Sequence, residues 1–308
     1  MKLKHRLEYG LLRSVVLFLN LLPLPVILVI TQSLGWLTWV LFPFRLPVAY
    51  RNISTVFPDM AHTEKLRILK RAYLNFTKTF ALIVILRRKK LYRMIEEAVI
   101  SGQEHLDEAL KGGKGAVLTT YHGFWFEAYF AWFNHNNLPT SLIIKRQSNP
   151  FSDAYFIRQR EYFGNSLENV RRKAGMKVFR ACLENNRLLI ISLDQNYQAT
   201  GTPIPFFNRT LGCAKGSALL HLKSGAPVLT SVYYVKNGKL HIDFDRVDLP
   251  EYQEITEDAI NDISTRAISY YEPYIMKYPE QWFSLFHRLW SKDGYPERVP
   301  RGFREIFL

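Results

Sequence analysis

Cysteine is nearly missing from this chain: Cys182 and Cys213 are the only two among 308 residues. They stand far apart with no Cys-x-x-Cys spacing, which excludes a disulfide framework and the usual zinc arrangements and suits a reducing compartment. Acidic residues are also scarce, 27 against 41 lysines and arginines, for a formal charge of +14. Such a balance suits an anionic partner, whether a polyanion, an anionic membrane face or an acidic protein. The nucleic-acid option lacks support, because no RRM, zinc-finger or helix-turn-helix pattern is present. There is no GxSxG elbow, so nothing points to a serine nucleophile or a covalent intermediate. The glycines of Lys111-Gly-Gly-Lys-Gly115 lack the Lys-Ser/Thr pair of a P-loop and read as a turn. Internal repeats and low-complexity tracts are missing too. Hydrophobic residues at 48% and aromatics at 14% exclude a disordered chain. Asn-x-Ser/Thr triplets at Asn52, Asn75 and Asn208 are too short a pattern to carry weight.

Apolar sequence is plentiful near the amino terminus. After Lys2, Lys4, His5, Arg6 and Arg13, residues 14–44 carry no charged side chain, a run long enough to span a bilayer. Asn20, Pro23, Pro25, Gln32 and Gly35 interrupt it, which predicts two segments with a break near Pro23 to Pro25. No small-residue cleavage site closes the run, which weighs against a removable signal peptide. Basic residues before it, with Arg45 and Arg51 after it, can share one cytoplasmic face if the chain enters the membrane and returns. The expected organisation is a membrane-anchoring segment over 1–45 and a single folded domain over 46–308.

Residues 45–113 read as helical and basic, with a helix capped by Thr63 and an apolar stretch over 76–86 before Arg87-Arg88-Lys89-Lys90. A short helix is expected over 103–110. Strands are then expected over 116–120, 140–145 and 188–194, with helices following the first and over 152–163 and 175–185. A helix over 214–223, strands over 227–235 and 239–247 joined at Asn237-Gly238, and a long helix over 255–277 complete the pattern. Alternating strands and helices predict an α/β fold, a mixed sheet flanked by helices.

The first of these strands ends at Tyr121-His122-Gly123, and Glu127 follows in the next helix. In one continuous helix five positions would separate His122 and Glu127 by about 140°. A turn at Gly123 instead lets the carboxylate fold back onto the imidazole, hold one tautomer and favour its protonated form. Arg158, Arg160, Arg171, Arg172 and Lys173 form a basic group suited to phosphates. Asp194 and Gln195 stand at another strand end. No cluster with metal-ligand spacing is present.

His122, four residues and Glu127, after a strand ending Thr-Thr-Tyr, resemble the HX4D/E signature of glycerolipid acyltransferases. The glutamate is similar to that of the late acyltransferases of lipid A biosynthesis. Further segments resemble that family in order: Lys145-Arg146 through Asn149-Pro150, then Arg158, Arg160 and Gly164, then Leu193-Asp194-Gln195 and Pro205-Phe206-Phe207. His221 to Val228, Pro279-Glu280-Gln281-Trp282 and His287-Arg288 continue it, to about Lys292. The resemblance implies acyl transfer from an acyl carrier protein thioester, with acyl-CoA the alternative donor, to a hydroxyl of a lipid A precursor. It also implies a bacterial inner-membrane protein working on the cytoplasmic face without cofactor or metal. His122 would be the general base and Glu127 its orienting partner. Arg146, or else Arg160, would face the oxyanion, with Arg146 preferred because it follows a neighbouring strand end. Arg158 and Arg160 are further candidates for substrate phosphates, Asp194 and Gln195 would support the site, and Trp125, Phe126 and Phe206 would line the chain tunnel. Two departures leave the acceptor open: Gly123 is shifted with no asparagine before Glu127, and Asn208 stands where a glycine is common. A lysophospholipid, phosphatidylinositol mannoside or aminolipid is the alternative acceptor. The rival of a different class is a non-enzymatic basic membrane-binding protein.

Overall fold

The structure, a computed structural model, describes residues 3–290, 296 and 298–302. Lys292, where the resemblance ends, and the last residues of the 46–308 unit lie outside them. The amino-terminal run forms two helices, α1 (Leu3–Leu21) and α2 (Leu24–Leu41), broken at Leu22-Pro23 as the prolines predict. Pro25 sits in the first turn of α2, where its missing N–H costs nothing. By length and composition α2 could cross a membrane. Helices α3 (Leu46–Val56), α4 (His62–Ile83) and α5 (Lys89–Glu96) follow. Gly35 lets α2 lie close on α4, since a Cβ there would meet Thr77 Oγ1 at 2.6 Å and Leu74 Cα at 2.9 Å. Thr77 Oγ1 also donates to the Thr31 carbonyl at 2.8 Å.

Thr63 does not cap α4. The helix starts at His62 behind Ala61, which makes no side-chain cap bond. Arg88, from the basic tetrad, donates to the carbonyls of Leu19 and Leu22 and so closes the end of α1. Asn52 is fully buried and donates to the carbonyls of Leu285 and His287, while Asn75 donates to that of Glu280. Both therefore tie the carboxy-terminal segment to the helical layer.

The remainder contains β1 (Val99–Ser101), α6 (Gln103–Lys111), β2 (Ala116–Thr120), α7 (Phe126–His135), β3 (Thr140–Ile144) and α8 (Pro150–Glu161). Next come β4 (Leu167–Arg171), α9 (Met176–Glu184), β5 (Leu188–Ser192), β6 (Thr202–Phe206), β7 (Arg209–Cys213) and α10 (Gly216–Ser224). The chain continues through β8 (Val228–Lys236), β9 (Lys239–Arg246), α11 (Glu257–Ser269) and α12 (Glu272–Lys277). Seven strands form one sheet in the order β1-β9-β8-β2-β5-β3-β4, parallel except for the β8–β9 hairpin. That is the expected α/β fold with a mixed, helix-flanked sheet. Every residue of central β2 is buried, as a parallel strand covered on both faces requires. The β8–β9 turn has positive φ at Asn237 and Gly238, the geometry the Asn-Gly pair favours. The helix expected over 255–277 is instead two, α11 and α12, divided at Tyr270-Tyr271, with Pro273 in the first turn of α12.

Candidate active site

Strands β2 and β5 are parallel neighbours, with Thr120 opposite Ser192. Two residues beyond each partner come His122 and Asp194, so the register alone brings them level at the carboxyl edge of the sheet. This edge is where open parallel sheets place ligands. Asp194 Oδ1 lies 2.6 Å from His122 Nδ1, and the backbone N–H of His122 donates to both carboxylate oxygens at 3.0 and 3.1 Å. The indole N–H of Trp282 donates to Asp194 Oδ2 at 2.8 Å. Asp194 is fully buried. Burial opposes its ionisation, but His122, the Trp282 indole and the His122 backbone N–H outweigh burial and hold the carboxyl below its ordinary value. An ionised carboxylate on Nδ1 selects the Nδ1–H tautomer and leaves the Nε2 lone pair for a substrate proton.

The turn carrying His122 is clamped by the Pro279–Trp282 segment. Gly123 and Trp282 form an isolated antiparallel bridge, Phe283 N–H donates to the His122 carbonyl at 2.8 Å, and Phe124 N–H donates to that of Gln281 at 3.0 Å. The Gln281 side-chain amide in turn pairs with both backbone groups of Val235. Behind the turn, the Tyr233 hydroxyl accepts from Gly123 N–H at 3.0 Å and donates to the Tyr121 carbonyl at 3.1 Å. A Cβ on Gly123 would meet the Tyr233 ring at 2.8 Å, so a residue without one is needed here.

His122 opens onto a cleft of about 240 Å³ with walls that include Phe126, Phe130, Leu142, Ile144, Phe156 and Ile190. Arg160 also lines it. Glu127 does not hold the imidazole, contrary to what the HX4E spacing predicts. Its two oxygens accept from Arg160 Nε and Nη2 at 2.8 and 2.6 Å, and Arg160 Nη1 donates to Asn169 Oδ1 at 2.8 Å. Both members of this ion pair are buried, at 5% and 11% side-chain exposure. The reason is topological: α7 aims its first turn at α8, whereas sheet register delivers Asp194 to the histidine. Burial alone would weaken ionisation of Arg160, but Glu127 more than offsets it and holds the guanidinium charged.

The other expected site residues separate. Arg146 is 57% exposed and faces Asp153 at 3.5 Å. It lines a neighbouring cleft with Arg171, Arg172 and Lys173, and the two clefts share Ile144 and Lys145. Arg158 is exposed, its carbonyl accepting from Arg87, and neither it nor Gln195 lines the His122 cleft. Of the three expected tunnel residues only Phe126 lines that cleft. Phe206 is buried against Phe207, Trp282 and Trp290, and Trp125 faces a different cavity. Asn208 has φ 57° beside Phe207 at 48°, a left-handed turn that asparagine adopts more readily than most residues. This departure from a common glycine therefore leaves the backbone turn intact. Tyr233 was not legible as a site residue, since no motif marks it and only the strand pairing brings it to Gly123.

The family described as bacterial lipid A biosynthesis acyltransferase matches residues 3–292. A phosphatidylinositol mannoside acyltransferase of Mycobacterium tuberculosis is 27% identical over 146 residues, 47% of this chain and 46% of that protein. The chain thus matches about half the length of that relative. A lipid A biosynthesis acyltransferase of Haemophilus influenzae is 21% identical over 253 residues, 80% of this chain and 76% of that protein.

Proposed function

This chain belongs to the bacterial lipid A biosynthesis acyltransferase family, and we propose that it moves a fatty acyl chain from a thioester to a hydroxyl of a lipid A precursor. The observation that carries this reading is the His122–Asp194 pair beside an apolar cleft, with Nδ1 taken and Nε2 left for the acceptor. The acceptor hydroxyl gives its proton to Nε2 as its oxygen bonds to the thioester carbon. Asp194 stabilises the imidazolium that forms. Collapse of the tetrahedral adduct breaks the C–S bond, and the imidazolium returns the proton to the departing thiolate. Arg160 is the better placed of the two expected oxyanion donors, because it lines the cleft while Glu127 holds its plane. Arg146 would act at the neighbouring cleft.

That second cleft, lined by Lys145, Arg146, Arg171, Arg172 and Lys173, with only Arg146 among them facing a carboxylate, that of Asp153, suits the phosphate of the donor and an acidic carrier protein. The donor is accordingly an acyl carrier protein thioester, with acyl-CoA the alternative. Leu3, Leu7, Leu11, Phe18 and Phe42 are all exposed on or beside α1 and α2, an apolar surface suited to a membrane. The site then works on lipid at the cytoplasmic face of the inner membrane. A phosphatidylinositol mannoside is the second acceptor to test, given the mycobacterial similarity.

Wild type and His122→Ala, in detergent with acyl carrier protein and CoA thioesters, are offered each acceptor and the lipids are weighed by mass spectrometry. One added acyl chain is expected with wild type, and a fall of about 10²–10⁴-fold in rate with His122→Ala. Full transfer by His122→Ala would overturn the mechanism. No acylated lipid from any donor would overturn the enzyme reading and leave the binding-only rival.

A further inference from the structure

A separate cavity of about 600 Å³ lies between α2, α4, α5 and the β8–β9 hairpin. Its lining does not include His122, Asp194 or Arg160. The walls are apolar, with Leu28 from α2, Leu82 from α4, Leu91 and Met94 from α5, and Trp125 from the turn before α7. The charged lining is strongly one-signed: Lys78, Lys90, Arg93 and Lys239 against, among the described residues, one carboxylate, that of Glu97. None of these four cations is in an ion pair among the described residues. A smaller cavity of about 270 Å³ shares Gln32 and Lys78 with it and adds Arg71 and Glu280. Burial lowers the Lys78 ammonium from its ordinary value, with Glu280 pulling the other way. An anion in the cavity would favour that charge.

A free phosphate would satisfy the cations and leave the apolar walls bare, and a neutral lipid would do the reverse. The combination is that of an amphiphile with an anionic head, and one wall is α2, the helix with the composition of a membrane segment. We propose that this cavity is a binding site for an anionic phospholipid, its chain along Leu28, Leu82, Leu91 and Met94 and its phosphate met by Lys78, Lys90, Arg93 and Lys239. It is distinct from the site of acyl transfer. The bound lipid touches Trp125, the residue on which α7 begins, so occupancy bears directly on the helix that presents Glu127.

The full chain in detergent is titrated by calorimetry with dioctanoyl phosphatidylglycerol, dioctanoyl phosphatidylcholine and sodium phosphate. Phosphatidylglycerol is expected to bind one per chain, at least about tenfold tighter than phosphatidylcholine, with no competition from phosphate. The double variant Lys78→Gln/Lys239→Gln should weaken phosphatidylglycerol by about tenfold and phosphatidylcholine, whose choline already offsets the phosphate charge, by less. Leu28→Trp, which fills the cavity without touching a charge, should weaken phosphatidylglycerol too. His122→Ala should bind as wild type does, which keeps this outcome separate from that of the transfer reaction. Equal affinity for the two lipids, competition by phosphate, or undiminished binding in a folded double variant and in Leu28→Trp would each overturn the site.

Discussion

Glu127 and Arg160 offer a sharp test, because two roles for the carboxylate predict opposite behaviour. Their pairing is bidentate, at 2.6 and 2.8 Å, between side chains only 5% and 11% exposed. Removing one partner of such a buried pair leaves the other charge without compensation and costs about 3–5 kcal/mol. For a chain of this size that is a fall on the order of 10 °C in Tm. Glu127→Leu and Arg160→Met should each show this loss, and the double variant should be more stable than either single one. Thermal melts of the four proteins, each paired with an acyl-transfer rate, make the comparison. If Glu127→Leu kept full stability, lost transfer and showed no coupling to Arg160→Met, Glu127 would be serving His122 after all.

Gly123→Ala should lower stability by about 1–3 kcal/mol and slow transfer, since the new methyl meets the buried Tyr233 ring; an unchanged melt and rate would count against the close approach. Arg171→Gln/Arg172→Gln should raise KM for an acyl carrier protein donor and flatten its dependence on salt, with little change in kcat, in steady-state kinetics at varied ionic strength. Asp194 is held below its ordinary value of 3.8, so the stability it contributes is complete above that pH and lost as pH falls further. Urea unfolding from pH 6 to 3 should show that slope in wild type and a weaker one in Asp194→Asn.

Much of the scaffold was legible because its signals are local. The prolines at 23 and 25 break the apolar run, the β-branched stretch gives β2 residue for residue, and Asn237-Gly238 turns β8 into β9. Short or mixed segments were not legible. β1 has three residues, β4 reads Leu-Glu-Asn-Val-Arg with no regular alternation, and β6 carries Pro203 and Pro205 at exposed positions of its hairpin. His122 was legible for the same local reason as its strand. Asp194 was expected to support the site, but its pairing with His122 was not legible, because sequence spacing favours Glu127 while the contact belongs to Asp194, 72 positions away. Only the pairing of β2 with β5 brings that residue into reach. The Gln281 and Trp282 contacts are likewise long-range, although the motif that contains them was visible.

The proposed mechanism requires Asp194 to hold His122 as the base for acyl transfer. Single-turnover transfer by Asp194→Asn, set beside wild type with the same donor and acceptor, tests it most directly. The amide keeps the shape of the carboxylate but not its charge, and it turns a donor toward the Trp282 indole or the His122 backbone. A fall of about 10²–10⁴-fold in rate, in a protein that still melts cooperatively, is expected. A rate within about twofold of wild type would contradict it.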